Sequence, residues 1–350
     1  MSFKRFTPSD FLVSADSVTA PCWTNNVYDL TNFFTSSTQE SSLQGDYVLA
    51  VYQTASTNST AAIQFYLGYA NQLGSGSVAY NSQIPQYSPS STLYGQWRNL
   101  ILEDENAQFI FGAVTQSDFF IVAVERANYK QSLFPGSLNL ALTGIGSGAT
   151  TIFLTDNSND ISVVPYINGT RVYQVVSGSN GSAVSTTANG STVAGQTASG
   201  SYGWFVPDMG AILLNAQALA LTAASGGIAL SYSSSFGNQA NVANGYNNTQ
   251  IFTAISGGDS FELNSQENVT SDFVFVRPQN AEFNYTTNPS FITGSTGEVL
   301  YSTSINNPQV YITTVGMYND ANELLAVAKL SRPLVKDFTK EALIRVKLDF

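Results

Sequence analysis

Histidine is absent from the 350 residues, and cysteine occurs once, at Cys22. The missing imidazole excludes Ser-His-Asp and Cys-His nucleophile systems and His-ligated zinc, and it removes the side chain whose unperturbed pKa lies nearest neutrality. A single thiol excludes an intrachain disulfide and a thiolate metal cluster, so stability rests on packing or on other subunits. Charge is scarce as well. Asp, Glu, Lys and Arg make up 11% of the chain, against about a quarter in ordinary soluble domains, and the surface is therefore built from Ser, Thr, Asn, Gln and Gly. The balance is acidic, −11 at neutral pH, which speaks against nucleic acid and anionic membranes as partners. No apolar run approaches the ~20 residues of a membrane span; the longest, Ala211 to Leu221, is interrupted by Asn215 and Gln217. Nor does a basic segment followed by an apolar core open the chain, and the expectation is a protein made and folded in the cytosol.

What is present is material for packing. Hydrophobic residues account for 43%, with 22 Phe and 18 Tyr, and at roughly 150 residues per domain the length allows two or three domains. N-x-S/T sequons recur from Asn58 to Asn284; in a chain this rich in Asn, Ser and Thr they arise by chance, and no secretory signal gives them a use.

The pattern along the chain predicts a mainly β fold, with antiparallel β-sandwich-type domains and one or a few short helices. Gly45–Gln53 and Ala61–Tyr69 are β-branched and aromatic and read as paired strands, and Phe109–Phe111 and Asp118–Glu125 read as buried strands. Leu93–Leu102 suits a helix, and Met209–Ala223 is assigned to a second one because Ala and Leu dominate it. Composition shifts to Gly, Ser, Thr and Asn after Gly144, with short strands at Thr151–Leu154, Val163–Ile167 and Arg171–Val176 and a loop over Ser177–Ser201. Strands resume at Ser271–Arg277, Val299–Ser304, Gln309–Tyr318, Glu323–Leu330 and Ala342–Phe350, with a hairpin turn at Tyr318–Asn322. The expected domains are an N-terminal β-rich scaffold at 1–143, a Gly/Ser/Thr/Asn-rich β domain or insertion at 144–270 and a C-terminal β domain at 271–350.

Little of this carries chemistry. A pair of carboxylates suffices for glycoside hydrolysis, and the candidates are Glu103, Asp104, Glu125, Asp156 and Asp160. Glu103-Asp104-Glu105 reads instead as a solvated turn, and Glu125-Arg126 as a structural ion pair. Asp156-Asn157-Ser158-Asn159-Asp160 alternates oxygen-bearing side chains as a calcium loop begins to do, but the glycine and closing glutamate of an EF-hand are replaced by Ile161 and Ile167, which favours an Asx turn. Gly144-Ile145-Gly146-Ser147-Gly148 lacks the phosphate-binding lysine motif and reads as a connection. Trp97 and Trp204 are the aromatics whose contexts suit an exposed, sugar-stacking role. No catalytic, cofactor-binding or metal-binding residue is assigned.

Several segments in one order carry a family likeness: Tyr94–Leu102, Asp118–Ala127, Tyr202–Asp208, Asn280–Pro289 and Ala342–Phe350. Through them the chain resembles baseplate-wedge-like virion proteins of contractile-tailed phages, particularly T-even-like phages of cyanobacteria. The resemblance implies a non-enzymatic, β-sandwich-bearing, dimeric or otherwise oligomeric subunit. It would be assembled in the host cytoplasm, reside in the virion tail and contact other tail or baseplate proteins. A receptor- or polysaccharide-binding tail tip and a head-decoration or neck protein share the same composition. The strand at Leu343–Phe350 is either an open edge that pairs with another chain or an internal strand of the C-terminal domain.

Overall fold

The run Phe119–Val124 offers no polar residue to water, and a strand of that kind must be covered on both faces. The structure, a computed structural model, describes residues 4–35, 48–74, 90–112, 114–145, 149–184, 202–232, 246–285 and 288–349. It divides into a central unit, Val18–Glu267, and a terminal unit, Met1–Ser17 with Asn268–Phe350.

The central unit holds a 12-stranded sheet. Its order is Asp29–Leu30, Phe261–Glu262, Asn139–Thr143, Thr151–Asp156, Tyr173–Ser179, Gly203–Val206, Ala211–Asn215, Asp118–Val124, Ile63–Asn71, Val48–Tyr52 and Phe34–Thr35, with Ser182–Ala183 beside Tyr173–Ser179. These pairings are antiparallel. The fold is mainly β with few, short helices, as the sequence pattern predicts.

Alternation along the middle strands sends side chains into two cores. Phe120, Val122 and Val124 join Phe205, Ile212 and Leu214 in a large core, whereas Phe119 and Ile121 join Trp204, Val206 and Leu213 in a smaller one. Helix Ser90–Leu102 covers the smaller core, with Leu93, Tyr94, Trp97 and Ile101 at the three- and four-residue spacing of one helix face. Helix Tyr246–Gly258, which the sequence pattern did not indicate, presses Ile251, Ala254 and Ile255 into the large core.

The sheet curls. Its first and last strands end and begin at Leu30 and Phe34, so at ~3.6 Å per residue its two edges lie within about 14 Å. Trp23 and Phe261, from one side, meet Phe65, from the other: the Phe65 and Phe261 ring centroids are 5.4 Å apart, and Trp23 Nε1 donates to the Phe261 carbonyl at 2.6 Å.

Three expectations are corrected. Helix Met209–Ala223 is instead strand Ala211–Asn215 followed by helix Ala216–Ala220. Each of Ala211 to Leu214 is fully buried between neighbouring strands, and burial on both faces overrides the helix propensity of Ala and Leu. Asn215 makes the switch, its side chain accepting from the amides of Gln217 and Ala218 as an N-cap. Gly210 starts the strand at φ 66°, where a Cβ would strike the Tyr129 ring at 2.5 Å. Second, Val299–Ser304 forms no strand; a single bridge joins Ile292 to Val299, and Thr303–Asn306 is a short helix. Third, the domain boundary at 143/144 falls within a hairpin, since Asn139–Thr143 pairs with Thr151–Asp156 and the Thr143 and Thr151 hydroxyls lie 2.7 Å apart. The later boundary lies at Glu267/Asn268, and the first 17 residues belong with the C-terminal segment. The short strands of 144–184 are Thr151–Asp156, Tyr166–Ile167, Thr170–Arg171 and Tyr173–Ser179; most of the expected loop, 185–201, lies outside the described residues.

The terminal unit contains strand Asn264–Val276 from Asn268 onward. It pairs with Ile344–Asp349, from Ser271 opposite Asp349 to Val276 opposite Ile344, while Phe11–Pro21 is its neighbour on the sheet's other side. The hairpin Val310–Tyr318 with Leu324–Lys336 is a separate two-stranded ribbon. Its turn stands where the sequence placed it.

One buried acid in the central unit generates a prediction. Asp118 is 1% exposed and accepts from Tyr69 Oη at 3.0 Å and Gln217 Nε2 at 3.2 Å. Burial raises its pKa above the ordinary carboxylate value, against the lowering effect of hydrogen bonds from Gln217, Tyr69 and Tyr232. A folded pKa above the unfolded one means that stability from this group is present at low pH and is lost as pH rises through the folded value. Asp118→Asn is therefore expected to flatten that slope and to match or exceed the parent in denaturant midpoint at pH 7. Asp118→Leu, which strands the donors, is expected to cost about 1–3 kcal/mol per orphaned group.

Candidate functional site

The nominated acids do not converge on a site. Glu103 and Asp104 are exposed beyond the end of helix Ser90–Leu102, where Asp104 accepts from the Asn106 amide at 2.8 Å in a local turn. Glu125 is half-buried beside Tyr66. It is not paired with Arg126, whose Nη1 donates to the Tyr129 carbonyl at 2.6 Å and whose guanidinium lies 4.6 Å from the Tyr129 ring centroid. The expected ion pair is thus replaced by a carbonyl and an aromatic face.

Asp156 is fully buried, its carboxylate taken up by the amides of Gly136 and Ser158 at 2.8 and 3.0 Å. The Ser158 contact closes the Asx turn that the sequence favoured. Asp160 accepts from the Ala183 amide, and Asn157 Oδ1 from the Gln174 amide at 2.9 Å. Oxygens that would ligate calcium are thus spent on pinning the strands around the turn. Among the described residues, no group of three or more His, Cys, Asp or Glu is placed to hold a metal. Burial pushes the Cys22 thiol up to about 12, leaving it protonated and unreactive.

Trp204 is not exposed. It is 4% accessible and packs against Phe109 and Phe111, with centroids at 5.5 and 5.4 Å. Trp97 is half-buried on the same core. Neither presents the open face that sugar stacking requires. The composition of Tyr202–Asp208 gave no sign of this, because burial of Trp204 depends on Phe109–Phe111 far upstream.

Unmet physical demand lies in the terminal unit. Among the described residues its buried apolar side chains are Val274 and Val346 alone, whereas 16 of the 29 exposed large apolar residues belong to it. They include Phe11, Val13, Tyr285, Ile305, Leu325 and Leu343, each between 50% and 75% accessible. Polar ties hold the unit together in place of a core. The ammonium of Lys336, fully buried, donates to the carbonyls of Asn280 and Asp337 and to Asn284 Oδ1 at 2.9, 3.1 and 2.9 Å, which uses all three of its donors. Lys4 Nζ reaches the Arg277 carbonyl at 2.7 Å and Glu282 at 2.8 Å. Of the four ion pairs among the described residues, three lie here: Lys4–Glu282, Arg277–Asp10 and Lys340–Asp337.

Charge is divided along the same line. The terminal unit holds nine of the 13 Lys and Arg and ten of the 24 Asp and Glu, a net of −1, which leaves −10 on the central unit. Strand Ile344–Asp349 stands at the end of its sheet, paired to Asn264–Val276 alone. Of the two readings of that strand, the open edge is the one observed among the described residues. A near-neutral surface with exposed apolar side chains and an open strand edge is suited to contact with protein.

Sequence reasoning found the hairpin and the last strand but missed the exposed side chains Tyr311, Tyr318, Leu324 and Val327. The signal available was Leu324-Leu325-Ala326-Val327-Ala328, an apolar run without strict alternation.

Compared with protein-family models, with curated proteins and with solved structures, the chain has no match.

For Trp204, truncation tests the buried role. Trp204→Ala is expected to lower stability by about 3–5 kcal/mol in denaturant titration, as for a large aromatic removed from a core. A change within about 0.5 kcal/mol, usual for surface positions, would contradict it.

Proposed function

We propose that this chain is a non-enzymatic structural subunit of a tailed-phage particle, part of the baseplate wedge of a contractile tail, acting through protein–protein contacts after assembly in the host cytoplasm. The observation that carries the reading is the terminal unit, which exposes 16 large apolar side chains while burying two. Exposed large apolar side chains in this number, set against so few buried ones, leave apolar area that contact with another protein would cover. The family-like segments Asn280–Pro289 and Ala342–Phe350 fall in this same unit. The first supplies Asn280 and Asn284 to the Lys336 ammonium, and the second supplies the open edge strand.

Electrostatics favours the same surface. Two central units at −10 repel one another, whereas terminal units near neutrality approach without that cost. The tail-tip alternative is weakened, because it leaned on Trp204 as a sugar-stacking residue and that ring is buried.

Location decides the proposal. Cryo-electron microscopy of purified particles, together with mass spectrometry of the same preparation, is expected to find the chain at the tail baseplate in a fixed number of copies. Density at the head or neck would overturn the wedge assignment and keep a structural role. Recovery from infected-cell lysate alone, never from particles, would overturn both.

A further inference from the structure

The hairpin Val310–Tyr318 with Leu324–Lys336 presents a face whose chemistry is complementary to itself. Its register sets Thr314 opposite Lys329, Gly316 opposite Val327 and Tyr318 opposite Leu324, and these six residues are all exposed. A side chain at Gly316 would meet the Tyr318 ring at 3.0 Å and Leu324 Cδ1 at 3.3 Å, so the glycine makes room for both to lie across the strand. The result is an apolar centre of Tyr318, Leu324 and Val327, with Val327 57% and Leu324 53% accessible.

Charge lies at opposite ends of that centre. The turn carries Asp320 and Glu323, and the far end carries Lys329 and Arg332, all exposed. The turn is well fixed: the Glu323 amide donates to Asn319 Oδ1 at 2.8 Å, and Asn319 Nδ2 donates back to Glu323 Oε2 at 2.7 Å. Counted along Val310–Tyr318 at ~3.3 Å per residue, Lys329, opposite Thr314, stands about 7 Å from the Gly316–Val327 pair on one side, and Glu323, bonded to Asn319, about 10 Å on the other. A twofold axis through the Gly316–Val327 pair therefore brings the acidic turn of one copy over the basic segment of the other, twice, around a shared apolar centre.

We propose that this face is a homodimer interface, formed by the hairpins of two copies of the chain packed face to face and antiparallel. The proposal rests on the assembly reading above and names the partner at one of its surfaces. Eight paired positions along Val310–Tyr318, interrupted by a register shift after Ile312, make a ribbon about 30 Å long and about 10 Å wide, a footprint on the order of 300 Å² per copy. A contact of this size falls in the small, transient class of interfaces, in keeping with a reversible dimer. The regular pairs from Thr314–Lys329 to Met317–Ala326 suit sheet-on-sheet packing at ~10 Å.

Sedimentation velocity of the full-length protein across a concentration series tests this. A reversible dimer is expected, and Val327→Glu is expected to abolish it. Glu323→Lys alone and Lys329→Glu alone are each expected to weaken association by about tenfold or more, and the double swap to restore it, since it exchanges the signs at both ends and keeps them opposed. Unchanged near-ultraviolet circular dichroism in each variant establishes that the central unit is folded. A chain that stays monomeric throughout, or a dimer indifferent to Val327→Glu and to the single reversals, overturns the proposal. Neither result touches the particle-borne role, which the location of the chain in particles decides independently.

Discussion

A β-sheet has two faces, and its backbone pairing is stable in water only when at least one of them is dry. The central unit meets this requirement twice over, with a large core on one face of its sheet and a smaller one on the other. The terminal unit has strands of comparable length, yet only Val274 and Val346 are buried among its described apolar residues. Polar contacts stand beside a few aromatic ones there, with Lys336 saturated by three oxygens and Lys4 tied to Arg277 and Glu282. Such contacts fix geometry but supply little net stability, because each replaces a hydrogen bond to water. The terminal unit thus has a defined shape and an unmet need for burial.

That imbalance explains which parts of the fold were legible in the sequence. Strands covered on both sides announce themselves, as Phe119–Val124 does, because every residue is apolar. The hairpin at Tyr318–Asn322 was legible because its turn chemistry is local. Ala211–Leu214 was misassigned for the opposite reason: nothing within the segment distinguishes a doubly buried strand from a buried helix, and the deciding contacts come from Phe119–Ala123 and Gly203–Val206. Helix Tyr246–Gly258 escaped notice because its Asn- and Thr-rich sequence has weak helix propensity, and packing of Ile251, Ala254 and Ile255 stabilises it. Candidate chemistry fared similarly. The Asx turn at Asp156 follows from local spacing, whereas burial of Trp204 depends on residues almost a hundred positions away.

Scarcity of charge acquires a more specific meaning once the units are separated. The central unit carries four basic residues against 14 acidic ones. The terminal unit is richer in charge, nearly balanced, and has its apolar side chains interspersed with both signs. A surface of this kind can recognise a partner by register of opposite charges around an apolar centre, which is how protein interfaces gain specificity without high net charge.

The central claim is that the terminal unit draws its stability from another protein surface. Differential scanning calorimetry of the full-length protein over a range of concentrations tests it directly. The account predicts two transitions, the lower one belonging to the terminal unit and moving to higher temperature as concentration rises, because association stabilises only what it covers. A single transition whose temperature does not depend on concentration would contradict it.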